Sequence, residues 1–165
     1  MTHLYKIMTL NVGIGLALGG LISILTIEKP HIVMLQEITV SSEQLGLTVQ
    51  KYGYKAETNI DISNNTTLGT GFLWKSNLPI TDVHSVVECR SQLLKFGGYS
   101  FVNIYAPSGS QNKQARRSFF GQDIFRIVRG FDKSVPILGG DFNSILSPSD
   151  TERNYAEKSA QPLGN

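Results

Sequence analysis

Several apolar segments of this sequence end in polar side chains that packing does not require. VPILGGDFN, residues 135–143, runs through two glycines into Asp141 and Asn143, and IVMLQEI, residues 32–38, carries Glu37. A carboxylate at the mouth of a strand is costly unless it is paired or used. Carboxylates and amides can hold Mg²⁺, activate a water molecule and hydrogen-bond to phosphoryl oxygens. These residue types therefore predict hydrolytic chemistry at a phosphate.

Two further segments end in the same way. KIMTLNV ends near Asn11, and FVNIYAPSG ends in Tyr105, Pro107 and Ser108. Strand ends on one edge of a sheet converge in space, so we expect one cleft to collect the polar residues of all four segments. The expected cleft residues are Asn11, Glu37, Tyr105, Asp141 and Asn143.

The chemistry suggests a role for each member of this set. Glu37 is an oxygen ligand suited to Mg²⁺, which takes one or two carboxylates and keeps several waters. Asp141 is predicted to orient or deprotonate a water molecule. The side chains of Asn11, Asn143 and Tyr105 are predicted to hydrogen-bond to a phosphoryl oxygen.

Each of these residues also has a simpler interpretation. Gly139–Gly140 is expected to let the backbone approach a ligand, but Asp-Phe-Asn after two glycines is also typical of a turn with an Asx cap. Glu37 alone at a strand end fits a solvated residue, and Tyr105-Ala-Pro fits an ordinary strand exit. Only the recurrence over four segments favours the functional interpretation.

The remaining pattern predicts the elements that position these residues. Strands are expected around residues 5–12, 31–38, 54–60, 69–75, 79–90, 91–96 and 99–106, and a last strand at 135–143, with Gly97–Gly98 as a hairpin turn. A buried amphipathic helix is expected within Val12–Ile27, a short one after Ser41, and a third from Arg116 to Phe131. The third helix presents Phe120, Ile124, Ile127, Val128 and Phe131 on one face. Many strands with helices on opposite sides predict an α/β sandwich.

Composition narrows the class of protein. The 165 residues, with 41% apolar and 17% charged side chains, predict one globular domain with a sizeable core. The single cysteine, Cys89, excludes an intrachain disulfide and suits a reducing compartment, the nucleus or the cytoplasm. The apolar stretch Val12–Ile27 is too short to span a membrane and lacks the features of a signal peptide. Its glycines do not make the GxGxxG pattern of dinucleotide-binding proteins.

The order and separation of TLNV, IVMLQE, NIYAPSG and PILGGDFN resemble the endonuclease/exonuclease/phosphatase family. YAPSG followed by the Arg116–Arg117 pair, together with GTGFLWK, is most similar to the apurinic-type endonuclease domain of non-LTR (LINE-type) retrotransposons. The resemblance runs from Tyr5 to about Asp150. It implies a four-layered α/β sandwich over residues 1–150, followed by a polar tail at 151–165.

The same resemblance implies metal-dependent hydrolysis of phosphodiester bonds in DNA, with Mg²⁺ or alternatively Mn²⁺. It implies that Asn11 and Glu37 belong to the metal and phosphate site, and that Tyr105 contacts the scissile phosphate. Asp141 would activate the attacking water, and Asn143 would orient Asp141. The implied substrate-binding residues outside this set are Ser108, Arg116 and Arg117, with Ser108 standing where apurinic endonucleases carry asparagine.

The family's second half, with further strands and a terminal Ser-Asp-His, has no counterpart in these residues. His3, His31 and His84 all precede GGDFN, so none takes the place of that histidine by order. We therefore expect a truncated form of the fold that is weakly active or inactive alone. Its open sheet is expected to pair with a second copy or with another chain.

Three functions stay open on the sequence. The first is a DNA-nicking endonuclease that serves retrotransposition. The second is a phosphatase or lipid phosphodiesterase on the same scaffold, and the third is an inactive, element-derived protein that binds nucleic acid. The basic residues around the third helix favour DNA, because Lys and Arg clusters follow its phosphate backbone, although such a run is also typical of a solvated face.

Overall fold

Two four-stranded sheets form the centre of the molecule. The computed structural model describes residues 4–13, 18–61, 63–64, 68–131 and 134–144. The first sheet has the order β1-β2-β4-β3, and the second has the order β5-β6-β7-β8. The strands are β1 (Ile7–Asn11), β2 (Ile32–Ile38), β3 (Tyr54–Asn59), β4 (Gly69–Lys75), β5 (Asp82–Val87), β6 (Ser91–Phe96), β7 (Tyr99–Tyr105) and β8 (Val135–Asp141).

Each sheet contains one parallel pair, and these two pairs carry the polar strand ends. Strands β1 and β2 are parallel, as are β7 and β8, and the other neighbouring strands are antiparallel. The register places Asn11 beside Gln36 and Tyr105 beside Asp141. The predicted hairpin between β6 and β7 is confirmed, since Gly97 and Gly98 have φ angles of 57° and 84° that favour glycine.

Helices cover the outer face of each sheet. Ser41 caps the short helix α2, and Gly53 (φ 79°) ends the 3₁₀ turn that follows it, as the sequence predicts. The π-helical segment joins α3 to α4 without a break. The bounds are α1 (Leu18–Glu28), α2 (Ser42–Val49), a 3₁₀ turn (Gln50–Tyr52), a 3₁₀ turn (Ser110–Asn112), α3 (Lys113–Ser118), the π segment (Phe119–Ile124) and α4 (Phe125–Arg129).

Three apolar clusters separate four layers, which confirms the predicted α/β sandwich. Leu21, Leu25 and Leu45 pack with β2 and β4 residues beneath α1 and α2. Phe72 and Leu94 lie in the cluster between the two sheets. The third cluster joins the second sheet to the segment from α3 to α4. Among the described residues, no helix is long and apolar enough to cross a membrane.

The helix expected within Val12–Ile27 corresponds to α1, in which Leu21 and Leu25 are buried, although Leu18 is 39% exposed. The predicted face of the third helical stretch is confirmed, because Ile124 is buried and the other four residues pack against the same cluster. The sequence interpretation missed Phe119, which is buried in that cluster. A regular 3.6-residue period misses Phe119 because the π segment inserts extra residues per turn and shifts the inward face.

Some predictions fall on residues outside the described part. They include Ile14 and Ala17 of the first helix, most of the loop at 61–67, and everything after residue 144. The boundary at residue 150 and the polar tail therefore stay predictions.

A buried hydrogen-bond network joins the two sheets close to the polar strand ends. Gln36 Nε2 of β2 donates to Asn103 Oδ1 of β7 at 2.8 Å. Asn103 Nδ2 donates to the carbonyl oxygens of Leu35 and Gly71, each at 2.9 Å. Both amide side chains are almost completely buried. Because buried amides need these partners, the network holds one sheet at a fixed position over the other.

Candidate active site

Asn11 connects two carboxylates that come from different sheets. Its Nδ2 atom donates to Glu37 Oε1 at 3.0 Å and to Asp141 Oδ2 at 2.9 Å. The Gly13 amide in turn donates to Asn11 Oδ1 at 3.0 Å. The amide group of Asn11 is therefore oriented from both ends, with its two N–H bonds directed at the acids. The ends of β1, β2 and β8 therefore meet at this residue, as the sequence predicts.

A β-bulge places Glu37 at the end of β2, where its side chain meets Asn11. The pairing of β2 with β4 shifts register between Gln36 and Ile38, and Glu37 has a φ of 61°. A left-handed backbone costs a residue with a Cβ roughly 1–2 kcal/mol. Bulges and such strained residues cluster at functional sites, where they redirect a side chain. The sequence gives no sign of this bulge, because nothing in QEI marks an extra residue.

Asp141 divides its two carboxylate oxygens between a turn and the cleft. The Asn143 backbone N–H donates to Oδ1 at 2.9 Å, while Oδ2 receives the bond from Asn11. Asn143 Nδ2 donates to the Ala106 carbonyl at 2.6 Å, which ties the turn to the end of β7. The two interpretations of Asp-Phe-Asn are therefore compatible, because one oxygen of Asp141 belongs to the turn and the other belongs to the candidate site.

The two glycines before Asp141 let β8 pack closely against its neighbours, and their approach to a ligand stays a prediction. A Cβ on Gly140 (φ 135°) would lie 2.0 Å from the Ile104 carbonyl oxygen of β7. A Cβ on Gly139 would lie 2.4 Å from Met34 Cε of β2. Only glycine lets β8 pass this close to β7 at the point where Asp141 leaves the sheet.

Tyr105 lies at the same edge with its ring 5% exposed. Burial raises the pKa of its phenol, the charges of Glu37 and Asp141 add to that effect, and Arg90 opposes it. The phenol therefore stays protonated at neutral pH and can donate a hydrogen bond. Arg90 is a residue that the sequence interpretation missed. Its guanidinium carbon lies 4.8 Å from the centroid of the Tyr105 ring.

A cleft of about 560 Å³ opens beside these residues, between the ends of the two sheets. Asn11, Asp141 and Asn143 line it, and Phe142 contributes an exposed ring at its edge. The other lining residues are Thr9, Gln36, Gly140 and Ser144. The cleft is open to solvent and exposes Asp141. Glu37 lines a separate, smaller pocket beside α1, and Tyr105 lines neither of the two, so the cleft collects only three of the five expected residues.

The other predicted substrate-binding residues lie on the neighbouring loop and α3. Arg116 Nη1 donates to the carbonyl oxygens of Pro107 and Gly109, each at 2.9 Å, so this guanidinium stabilises the loop. Ser108 is exposed, and its carbonyl accepts a bond from Asn112. Arg117 is exposed on α3. No described contact joins these three residues to the Asn11–Glu37–Asp141 group.

The two described histidines lie away from this group. His31 Nδ1 accepts a hydrogen bond from the Lys6 amide at 2.9 Å, and His84 Nδ1 is 3.1 Å from Asp82. Burial and the nearby Lys75 charge lower the pKa of His31. Both histidines therefore contact residues outside the Asn11–Glu37–Asp141 group, and His3 lies outside the described residues.

The donor set fits a hard divalent cation. Glu37 and Asp141 supply carboxylate oxygens, and Asn11 Oδ1 retains a second lone pair beside the bond from Gly13. Mg²⁺ needs only one or two such carboxylates because it keeps several waters. The described residues contain no group of three or more His, Cys, Asp or Glu side chains placed to hold a metal. A cation here would therefore bind with few protein ligands.

Comparison with solved structures shows that the chain shares its α/β sandwich fold with other proteins. The 3′ phosphatase NExo from Neisseria, bound to a product DNA hairpin, is similar with a TM-score of 0.74 and 19% identity over 89% of this chain and 61% of that one. An AP endonuclease from Archaeoglobus fulgidus is similar with a TM-score of 0.72 and 18% identity, over 91% of this chain and 62% of that one.

These similarities establish the fold, and this chain spans about three fifths of the length of each of the two structures. No protein-family model matches the sequence. A search of curated proteins also found no match.

Proposed function

We propose that this protein is a Mg²⁺-dependent phosphodiester hydrolase that nicks DNA. The observation that carries the proposal is the bridge that Asn11 makes between Glu37 and Asp141 at the mouth of an open cleft. Two acids from different sheets, held by one amide beside a protonated tyrosine, form a set suited to hydrolysis at a phosphate. A purely structural site would not place two carboxylates around one exposed asparagine.

The residues divide the chemistry between them. Asp141 accepts the proton of a water molecule whose oxygen attacks phosphorus, and the bond from phosphorus to the 3′ oxygen of the sugar breaks. Glu37 and Asn11 would hold Mg²⁺, which when bound supplies charge stabilisation at the phosphoryl oxygens. The Tyr105 hydroxyl donates to a non-bridging oxygen. Asn143 holds Asp141 in place through its backbone N–H.

Charge on the segment from α3 to α4 supports DNA as the substrate. The side chains of Arg117 and Arg126 are exposed, and Arg129 packs over Phe125 at 4.5 Å from the ring centroid. Arg126 is 3.5 Å from Asp123, which offsets part of this positive charge. Cationic side chains on one segment neutralise backbone phosphates, so binding should weaken steeply with salt. The nucleus or the cytoplasm is the compartment we propose.

A role in retrotransposition rests on the sequence resemblance, in particular on YAPSG with Arg116–Arg117 and on GTGFLWK. In that role the nick would leave a 3′-hydroxyl that primes reverse transcription. The similarity to an AP endonuclease is consistent with cleavage inside a strand.

The second candidate function is removal of a terminal 3′ phosphate from DNA, favoured by the similarity to a 3′ phosphatase bound to product DNA. The same carboxylates would activate the water in either reaction. Lipid phosphodiester hydrolysis on this scaffold is the third outcome to test.

The deciding experiment is a nicking assay on supercoiled plasmid with Mg²⁺ or Mn²⁺ and with a chelator. Asp141→Asn should lower the rate at least ~10²-fold, the contribution typical of a general base, because the amide cannot take the proton. Asp82→Asn makes the same chemical change on β5, beside His84, and should leave the rate unchanged. Nicking that is equal in Asp141→Asn and the wild-type protein would refute the proposal.

Product ends and alternative substrates separate the candidates. A 3′-hydroxyl that a polymerase can extend supports the nicking function. Phosphate release from a 3′-phosphorylated oligonucleotide without nicking supports the phosphatase, and turnover of a phosphoinositide alone supports the lipid enzyme. No turnover of any of the three, in a folded protein that binds DNA, supports the inactive binding protein.

We also propose that a second copy of the chain pairs with the free edge of β8. Within the described part of the chain, β8 has a neighbouring strand on one side only. Val135 is 58% exposed and Leu138 is 38% exposed along this strand. An unpaired strand with apolar side chains is a template for strand addition.

A further inference from the structure

Arg90 is held against the end of β7 by its backbone. Its carbonyl oxygen accepts the Tyr105 amide at 2.8 Å, and its own amide donates to Val87 at 3.0 Å. The β6–β7 register pairs Ser91 with Ile104, so one further step places Arg90 opposite Tyr105. The two side chains are therefore cross-strand neighbours at the edge where the cleft opens.

The guanidinium of Arg90 faces the ring of Tyr105 as well as its backbone. A separation of 4.8 Å between the guanidinium carbon and the ring centroid is within the range of a cation–π contact. Nη1 of Arg90 is buried, and no described residue accepts a hydrogen bond from it. A buried guanidinium nitrogen without a partner is costly. Packing alone does not account for a cation at this position.

The contact places a positive charge against the Tyr105 ring. Burial and the charges of Glu37 and Asp141 raise the pKa of the Tyr105 phenol, and the positive charge of Arg90 opposes them. The phenol therefore keeps its proton at neutral pH, and the position of its hydroxyl depends on how the ring is held.

We propose that Arg90 is a positioning residue that holds the Tyr105 ring and thereby fixes the place of its hydroxyl at the end of β7, where it would meet a phosphate oxygen. The proposal rests on the phosphodiesterase function inferred above. Arg90 itself does not touch the reacting atoms. Its effect on the reaction passes entirely through Tyr105.

A titration tests the contact without requiring activity. The protein is prepared with fluorotyrosine, whose lowered phenol pKa keeps the titration within the pH range of the folded protein, and Tyr105→Phe assigns the ¹⁹F signal. In Arg90→Gln the pKa of Tyr105 should shift upward relative to the wild-type protein, and in Arg90→Lys it should shift less. Circular dichroism confirms that each variant is folded. An unchanged Tyr105 titration in folded Arg90→Gln overturns the proposal.

A double-mutant cycle tests the positioning role in the reaction. Tyr105→Phe should lower kcat on the order of 10²-fold, the loss typical of one transition-state donor. Arg90→Gln should lower kcat about 10-fold with little change in KM, by analogy with residues that orient a metal ligand without touching the metal. Adding Arg90→Gln to Tyr105→Phe should cost nothing further, since no hydroxyl remains to be positioned. Fully additive losses overturn the proposal.

The two measurements distinguish failure of the proposed function from failure of the positioning role of Arg90. If the wild-type protein hydrolyses no phosphodiester while the titration shows the upward shift, the proposed function fails and the Arg90–Tyr105 contact stands. If the protein is active and the titration is unchanged, the proposed function stands and the positioning role of Arg90 is wrong.

Discussion

Strands β2 and β8 each place a carboxylate beside Asn11, but the unusual backbone that this requires lies at different residues in the two strands. Strand β2 lies inside its sheet between β1 and β4, and Glu37 is placed by a bulge with a φ of 61°. Strand β8 has one described neighbour, and Gly140 absorbs the unusual backbone one residue before Asp141. In β2 the unusual backbone belongs to the acidic residue itself, whereas in β8 it belongs to the glycine that precedes the acidic residue.

This difference predicts that the two carboxylates respond differently to mutation. At Glu37, the side chain proposed to bind the metal and the strained backbone belong to the same residue, so removing the side chain need not relax the strain. Around Asp141 the two properties belong to neighbouring residues and can be changed separately.

The largest expected effect is loss of the fold in Gly140→Ala. A Cβ 2.0 Å from the Ile104 carbonyl oxygen forces β8 away from β7, and the cost should exceed about 3 kcal/mol. Thermal unfolding measures it, with Gly46→Ala as the control, because a Cβ in α2 meets nothing within 4 Å. A melting temperature in Gly140→Ala equal to the wild-type value would show that β8 has room to move.

The next effect concerns the metal at Glu37. Glu37→Ala should weaken Mg²⁺ binding at least ~10-fold without unfolding the chain, because the proposed carboxylate ligand is gone. Isothermal titration calorimetry measures the affinity, and Glu88→Ala removes an exposed acid elsewhere as the control. Unchanged Mg²⁺ affinity in Glu37→Ala would remove Glu37 from the metal site.

The edge position of β8 predicts an effect on self-association. Leu138→Lys places a charge on the exposed strand and should shift the protein from dimer toward monomer. Size-exclusion chromatography with light scattering measures the mass at several concentrations. Ile27→Lys, at an exposed apolar residue of α1, is the control. A wild-type protein that is monomeric at all concentrations contradicts the pairing.

The smallest effect tests the strain at Glu37. Glu37→Gly should be about 1 kcal/mol more stable than Glu37→Ala, since glycine adopts a φ of 61° without penalty. Denaturant unfolding compares the two variants. At Glu57, in β3 with an ordinary backbone, the order should reverse. If Glu37→Ala is as stable as Glu37→Gly, the bulge is not strained.

Much of this arrangement was predictable because it follows from strand ends and turn chemistry. Parallel pairing brings Asn11 beside Gln36 in one sheet and Tyr105 beside Asp141 in the other. The expectation of one shared sheet edge is wrong, because it is the packing of two sheets that brings Asn11 to Asp141, 130 residues away. Gly97–Gly98 marks the hairpin, and a two-residue turn fixes the register of β6 and β7. The same register pairs Arg90 with Tyr105, so the hairpin turn alone was enough to predict that these two residues are neighbours.

Other features were not predictable because they depend on contacts between elements. The role of Gly140 appears only when Ile104 is seen beside it, and the bulge at Glu37 leaves no mark in the sequence. The π segment that brings Phe119 into the core also leaves no mark in the sequence, since Phe119 and Phe120 are the same residue type. Local patterns predict elements and their ends, whereas tertiary packing decides which neighbouring side chain turns inward.

The buried pair of Gln36 and Asn103 has a consequence for how the cleft is assembled. Asn11 and Glu37 of the proposed site belong to one sheet, Tyr105 and Asp141 belong to the other, and the buried hydrogen bonds hold the two sheets in register. The two halves are then already aligned before a substrate arrives. Groups aligned in advance need no reorganisation as charge develops, so such a site can act on a phosphate without a closing motion.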